Sequence, residues 1–143
     1  MKILALDFGG RRVGVAFGDS EIGVAAARNF LVNNSDLLDN LAELVEQDKI
    51  EKILVGLPLG FSGETRQTNS TRDFVKKLEA KVAVAIELVD ERFTSKIAET
   101  NLHAAGENSR QQKTLVDSES ARIILQEYLD SKLTPRYLGD SNN

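Results

Sequence analysis

The sequence predicts a single mixed α/β domain in which an antiparallel meander of three strands continues into two further strands, each reached through a helix. Three patterns carry that expectation. The chain opens on two short apolar runs, Lys2 to Asp7 and Val13 to Phe17, separated by Phe8-Gly9-Gly10-Arg11-Arg12. Two later runs, Lys52 to Leu57 and Val82 to Val89, each follow a segment of helical periodicity. A strand that arrives through a helix joins its sheet in parallel. The order β-β-β-α-β-α-β-α-α therefore gives one mixed five-stranded sheet with helices on both faces.

Each element has its own reason. The paired glycines permit the positive φ of a hairpin turn between the first two strands. Gly23 to Leu31 completes the meander, although its alanines make it the weakest strand. Leu37, Leu38, Leu41, Leu44 and Val45 recur with the helical period behind Asn33-Asn34-Ser35, which can supply an N-cap. Lys52 to Leu57 reads as an apolar strand that stops at Pro58, and Phe74, Val75 and Leu78 predict a shorter helix after the loop that follows. Val82 to Val89 is rich in β-branched residues and ends in Asp90-Glu91-Arg92. Thr94 or Ser95 caps a helix through Ile97, Ala98 and Leu102 that Gly106 can close. The last helix runs from about Asp117, with Ala121, Ile124, Leu125, Tyr128 and Leu129 on one stripe. No repeat or linker interrupts residues 1–138, which read as one domain; the polar end 139–143 reads as a disordered tail.

Composition narrows the chemistry. The chain has 143 residues, no Cys and one His, so disulfides, thiolate zinc sites and Cys nucleophiles are excluded. Any metal must be held mainly by carboxylate oxygen, which favours Mg2+ or Mn2+. The apolar run Ile3 to Leu6 stops at Asp7, too short for a signal peptide or membrane span, so a cytoplasmic protein is expected. The net charge of −4 argues against binding nucleic acid by bulk charge, but its distribution is uneven. Acids dominate from Asp19 to Glu51, whereas Arg66, Arg72, Lys76, Lys77 and Lys81 outnumber Asp73 and Glu79 in the next helical region. One face can be basic while the whole is acidic.

Three acids fall where this architecture brings strand ends together. Asp7 ends the central first strand, Asp90 and Glu91 end the fifth, and alternation lets only one of that pair share a face with Asp7. Asp117 lies one turn before the apolar stripe of the last helix, aimed at the sheet. Buried carboxylates placed together repel and lose hydration, and a divalent ion removes the conflict. Two ions roughly 4 Å apart would clamp the attacking and leaving oxygens of a phosphodiester. Each acid also has an ordinary alternative: a turn at Asp7, a helix-dipole contact at Asp117, a surface pair of Glu91 with Arg92 or Lys96. Their joint placement favours a metal site.

Other chemistries fit less well. The loop Gly56-Leu57-Pro58-Leu59 with Gly63 lacks the Lys of a P-loop, there is no GxSxG, and His103 in an Ala-rich segment reads as surface or packing. Asp7-Phe8-Gly9 with Gly14 resembles the phosphate-holding turn of the actin and sugar-kinase superfamily, but a kinase of that type needs a second domain.

Leu6-Asp7-Phe8-Gly9, Arg12-Val13-Gly14-Val15-Ala16 with Asp19, Val55-Gly56-Leu57-Pro58-Leu59 with Gly63, Val89-Asp90-Glu91-Arg92-Phe93-Thr94, and Lys113 with Val116-Asp117 occur in that order. Together they resemble the YqgF family, also called RuvX, of the RNase H-like superfamily that includes the resolvase RuvC. The resemblance spans Leu6 to Leu138. It implies an RNase H-like fold and a metal-dependent nuclease acting on structured nucleic acid, processing the 5′ end of pre-16S rRNA in ribosome biogenesis. Holliday junction resolution, or a non-catalytic assembly factor of the same fold, is the alternative. It further implies Asp7, Glu91 and Asp117 as metal ligands, Glu91 being preferred over Asp90 because RuvC places a glutamate on this strand. Lys113 would meet the scissile phosphate, and Arg11, Arg12 and Arg92 are the nearest candidates for phosphate contacts. The implied partners are pre-rRNA or branched DNA and pre-ribosomal particles, with the protein a monomer or weak homodimer and no membrane involved. Where the family continues the Gly-Leu-Pro loop with a second glycine and small residues, this chain carries Glu64-Thr65-Arg66-Gln67-Thr68-Asn69.

Overall fold

The computed structural model describes residues 1–59, 63–91 and 118–131. Its elements are β1 (Lys2–Phe8), β2 (Arg12–Asp19), β3 (Ala25–Val32), α1 (Leu37–Gln47), β4 (Lys52–Leu57), α2 (Arg66–Lys81) and β5 (Ala85–Asp90), with a further helix, α3, over residues 118–131. The strands form one sheet in the order β3-β2-β1-β4-β5. β1 pairs antiparallel with β2 and parallel with β4, β2 pairs antiparallel with β3, and β4 pairs parallel with β5. The mixed sheet expected from the order of elements is the one observed.

Side-chain alternation splits β1 between two cores. Leu4 and Leu6 join Ile53, Val55, Leu37, Leu41, Phe74 and Leu78 beneath α1 and α2. Ile3 and Ala5 join Leu54, Ala121, Leu125 and Leu129 beneath α3. Both faces of β1 are thus covered, which is why its run is apolar without interruption. Asp7 continues the series of Ile3 and Ala5, so the alternation puts it on the α3 face.

Two elements differ from expectation. α2 has 16 residues against 11 in α1, so it is the longer helix. Its first turns are polar in sequence yet partly buried: Thr65 caps the helix through the Thr68 N–H, while the Thr68 side chain takes the Thr65 N–H. Thr68 also donates to the Pro58 carbonyl and Thr71 to that of Gln67. Their hydroxyls are satisfied inside the fold, so they occupy core positions that a search for apolar residues passes over. The stretch Glu64 to Asn69, read as loop, is therefore the capped start of a helix. β5 begins at Ala85 rather than Val82, because β4 begins at Lys52 and Lys52 pairs with Ala85, leaving residues 82–84 no strand to join. The expected helix from Thr94 or Ser95 to Gly106 and the tail 139–143 lie outside the described residues.

Candidate active site

The site forms at the ends of the parallel strands β1, β4 and β5. Gly56 of β4 pairs with Val89, and Leu57 with Asp90. Val89 packs in the α3 core, so alternation sends Asp90 to the opposite side and returns Glu91 to the face that Asp7 shares. Asp90 is exposed. The Glu91 N–H donates to the Leu57 carbonyl at 3.3 Å, continuing the β4 pairing just beyond the strand. That register resolves the choice between the two acids in favour of Glu91 as the residue beside Asp7.

The carboxyls of Glu91 and Asp7 are hydrogen-bonded to each other. Glu91 is pushed up to about 10, chiefly because burial penalises its charge, then because Asp7 repels it, because the Asp7 hydrogen bond favours its protonated form, and because Asp90 adds repulsion. Two carboxyls this close share a proton unless a stronger counter-charge displaces it. On β2, the residue opposite Asp7 is Gly14, where the β2–β3 register shifts.

Gly56 is the residue that sequence reasoning missed. A Cβ built on it would meet Ile124 Cδ1 at 2.6 Å and Glu91 Oε2 at 2.8 Å. The bare backbone of β4 is the space into which Glu91 folds to reach Asp7. A glycine inside an otherwise apolar strand is the signal that could have located it. Two amides were also missed: Gln67 Nε2 donates to the Phe8 carbonyl at 3.1 Å, and Asn33 Nδ2 to the Gly9 carbonyl at 2.7 Å. They hold the turn that follows Asp7.

The other expected site residues divide in two. Arg11 is exposed in the β1–β2 turn, and the Arg12 guanidinium lies over the Phe30 ring at 4.9 Å. Arg92, Lys113 and Asp117 lie outside the described residues. Ser118, which follows Asp117 in sequence, is buried, and its Oγ accepts the Val15 N–H at 3.4 Å. Val15 in turn pairs with Leu6, the residue before Asp7. Among the described residues, no three His, Cys, Asp or Glu side chains converge as a metal cage. The Asp7–Glu91 pair still fits a hard divalent ion: it offers oxygen donors alone, and it holds a proton where a cation would relieve the same repulsion. On α2, Arg72 pairs with Glu64 and Lys81 with Asp39, so part of its basic face is neutralised within the molecule. Among the described residues, no helix is long and apolar enough to cross a membrane.

Comparison with known proteins gives the same architecture. A family model described as RuvX: Holliday junction resolvase matches residues 1–131. A Maridesulfovibrio salexigens protein named "Putative pre-16S rRNA nuclease" is 39% identical over 132 residues, covering 90% of this chain and 98% of that protein. A Bacteroides fragilis protein of the same name is 37% identical over 135 residues, covering 92% and 97%. Thermus thermophilus RuvC, solved with a Holliday junction substrate, superposes with a TM-score of 0.58 at 13% identity, covering 94% of this chain and 96% of that one. The fowlpox virus resolvase, solved with junction DNA, gives 0.57 at 12%, covering 93% and 99%. At such identities the likeness establishes the fold, a RuvC-like RNase H sheet, and not the substrate. The whole-length sequence matches go further: the chain belongs to the RuvX family.

Proposed function

We propose that this protein is a divalent-metal-dependent nuclease that hydrolyses phosphodiester bonds of pre-16S rRNA at its 5′ end. The observation that carries the reading is the half-buried Asp7–Glu91 pair at the ends of parallel strands. Such a pair is costly in a protein without a use for it, because one carboxyl must stay protonated far above its ordinary range. Family membership and the shared name of the relatives support the rRNA substrate.

Asp7 and Glu91 would hold the ion, with Asp117 as the third ligand. The burial of Ser118 against Val15, beside the β1 residue that precedes Asp7, supports that third place. Mg2+ or Mn2+ there would stabilise charge on the phosphate and ease the deprotonation of an attacking water. The chain's own residues do the rest. Gly56 lets Glu91 reach Asp7, and Gln67 and Asn33 fix the turn that carries Arg11 and Arg12 towards the substrate backbone. Lys113 is proposed to meet the scissile phosphate.

The test is cleavage of 5′-extended 16S precursor RNA by the purified protein with Mn2+, with Asp7→Asn as the inactive control. Intact RNA under conditions where a control nuclease cuts would overturn the reading. The family description and the resolvase structures favour a second substrate, a four-way DNA junction, to be run beside the RNA. Should the Asp7→Asn, Asp117→Asn double variant restore ribosome maturation in cells as well as the parent does, a binding role replaces the catalytic one.

A further inference from the structure

A groove of about 420 Å³ opens on the face of the sheet opposite Asp7, between the end of β1, the start of α1 and the outer side of α2. Its size lies at the low end of the range of about 300–1,000 Å³ typical of small-ligand sites. One wall is apolar: the half-buried Phe8 ring, backed by its stack on the buried Phe74 with centroids 4.3 Å apart, and the half-buried Leu38 beside the buried Leu37. The other wall is polar, built from Asn33, Asn34, Ser35 and Ser70. Both amides are oriented by the fold. Asn33 Nδ2 donates to the Gly9 carbonyl, and Asn34 Oδ1 accepts the Asp36 N–H at 3.0 Å, which leaves one amide atom of each without a hydrogen bond among the described residues. Asp73 and Lys77 stand at the mouth one helical turn apart, and among the described residues neither forms an ion pair.

We propose that this groove takes one unstacked nucleobase of the bound RNA strand, adjacent to the phosphate that an ion on Asp7 would meet. The proposal rests on the nuclease reading above and names a substrate contact within it. Planar apolar surface beside fixed amide donors and acceptors is the equipment that recognises an unpaired base, whose face stacks and whose edge hydrogen-bonds. Asp73 can accept from an exocyclic amino group and Lys77 can meet a flanking phosphate, so both charges left over by the fold acquire partners. Position makes the link to cleavage. Phe8 follows Asp7 in β1, and the two side chains point to opposite faces of one strand end. A strand draped over that end brings a phosphate to one face and a neighbouring base to the other.

The test uses Ser70→Trp, an exposed α2 position where a large side chain fills the groove without entering the core; the chain has no other Trp. Short single-stranded RNAs carrying one 2-aminopurine, or one abasic residue, at successive positions are bound to a Glu91→Gln protein with and without Ser70→Trp. The expected result is one position at which 2-aminopurine fluorescence changes on binding and the abasic residue weakens affinity about tenfold, with that sensitivity lost in Ser70→Trp. The double variant Asp73→Ala, Lys77→Ala should weaken the same position and provides a check that does not depend on filling the groove. Equal affinity at every position, or unchanged discrimination in both groove variants, overturns the proposal. Cleavage by the parent protein is measured on the same RNAs. Cutting without positional sensitivity removes the groove and leaves the nuclease, whereas positional binding without cutting removes the nuclease and leaves the groove.

Discussion

The carboxyl of Glu91 reaches across Gly56 to hydrogen-bond that of Asp7, joining the strand that opens the chain to the strand at the far edge of the sheet. Most of the site's chemistry is a consequence of that contact.

The contact makes metal-free stability depend on pH in a direction unusual for a carboxyl. The folded state keeps a proton on Glu91 up to about 10, while the unfolded chain releases it near the ordinary value of 4.5. The stabilisation is complete below the unfolded value and is lost as pH rises through the window between them, at no more than about 1.4 kcal/mol per pH unit. Among the described residues, Asp19, lowered by its bond from the Glu21 N–H, and Lys52, raised by Glu87, act at the acidic and basic extremes and leave that window to Glu91. Urea unfolding in EDTA at pH 5, 7 and 9 should give falling stability. A rise across the series contradicts the shared proton.

Glu91→Gln imitates the protonated carboxyl. It should change stability at pH 7 by less than about 1 kcal/mol and flatten the pH dependence, while lowering cleavage by roughly 100-fold or more through loss of an anionic ligand. Thermal melts and single-turnover cleavage check the two halves separately.

Metal should enter by displacing that proton. Mn2+ titrated into the protein at pH 7 is expected to raise the melting temperature and release about one proton, seen as a difference in apparent heat between buffers of unlike ionisation enthalpy. Asp7→Asn should abolish both effects.

Gly56→Ala tests the space beneath Glu91. The added methyl would lie 2.6 Å from Ile124 Cδ1 and 2.8 Å from Glu91 Oε2, so both side chains must move. Stability should fall by about 1–3 kcal/mol, as overpacking does, and cleavage should fall by roughly 10-fold to 100-fold because Glu91 is displaced. Parent-like cleavage would show that the placement of Glu91 against Gly56 does not matter to the reaction.

Thr68→Val probes the buried start of α2. It keeps the side-chain volume but removes the Thr68 bonds to Pro58 and Thr65, leaving a carbonyl and a helix entry unsatisfied. A loss of about 1–3 kcal/mol in urea unfolding is expected.

What the sequence disclosed follows from where periodicity is strong. β1, β2, α1 and β4 are legible because their apolar spacing matches a single period, and the antiparallel and parallel senses of the strands follow from the hairpins and crossovers, whereas the order β3-β2-β1-β4-β5 comes from the structure. α2 was read too short because Thr68 and Thr71 are buried by satisfying their hydroxyls, which leaves no apolar trace. Asp7 and the Asp90–Glu91 pair were visible as acids at strand ends. Strand alternation alone leaves Asp90 and Glu91 open and only the family resemblance prefers Glu91; the pairing of Gly56 with Val89, which exists only once β4 and β5 are aligned, puts Glu91 on the face of Asp7. A glycine inside an apolar strand marks Gly56 as a place of close approach, but what approaches it, Glu91 and Ile124, is a property of three elements meeting in space. Arg92, Lys113 and Asp117 were singled out by sequence and lie beyond the described residues.

The insertion of β4 between β1 and β5 also sets when reactivity can arise. A growing chain that has emerged only as far as its first hairpin carries one of the two paired acids and has nothing to place beside it. The Asp7–Glu91 contact is therefore withheld until synthesis has passed β5, and so, on the function proposed above, is any cleavage that depends on it.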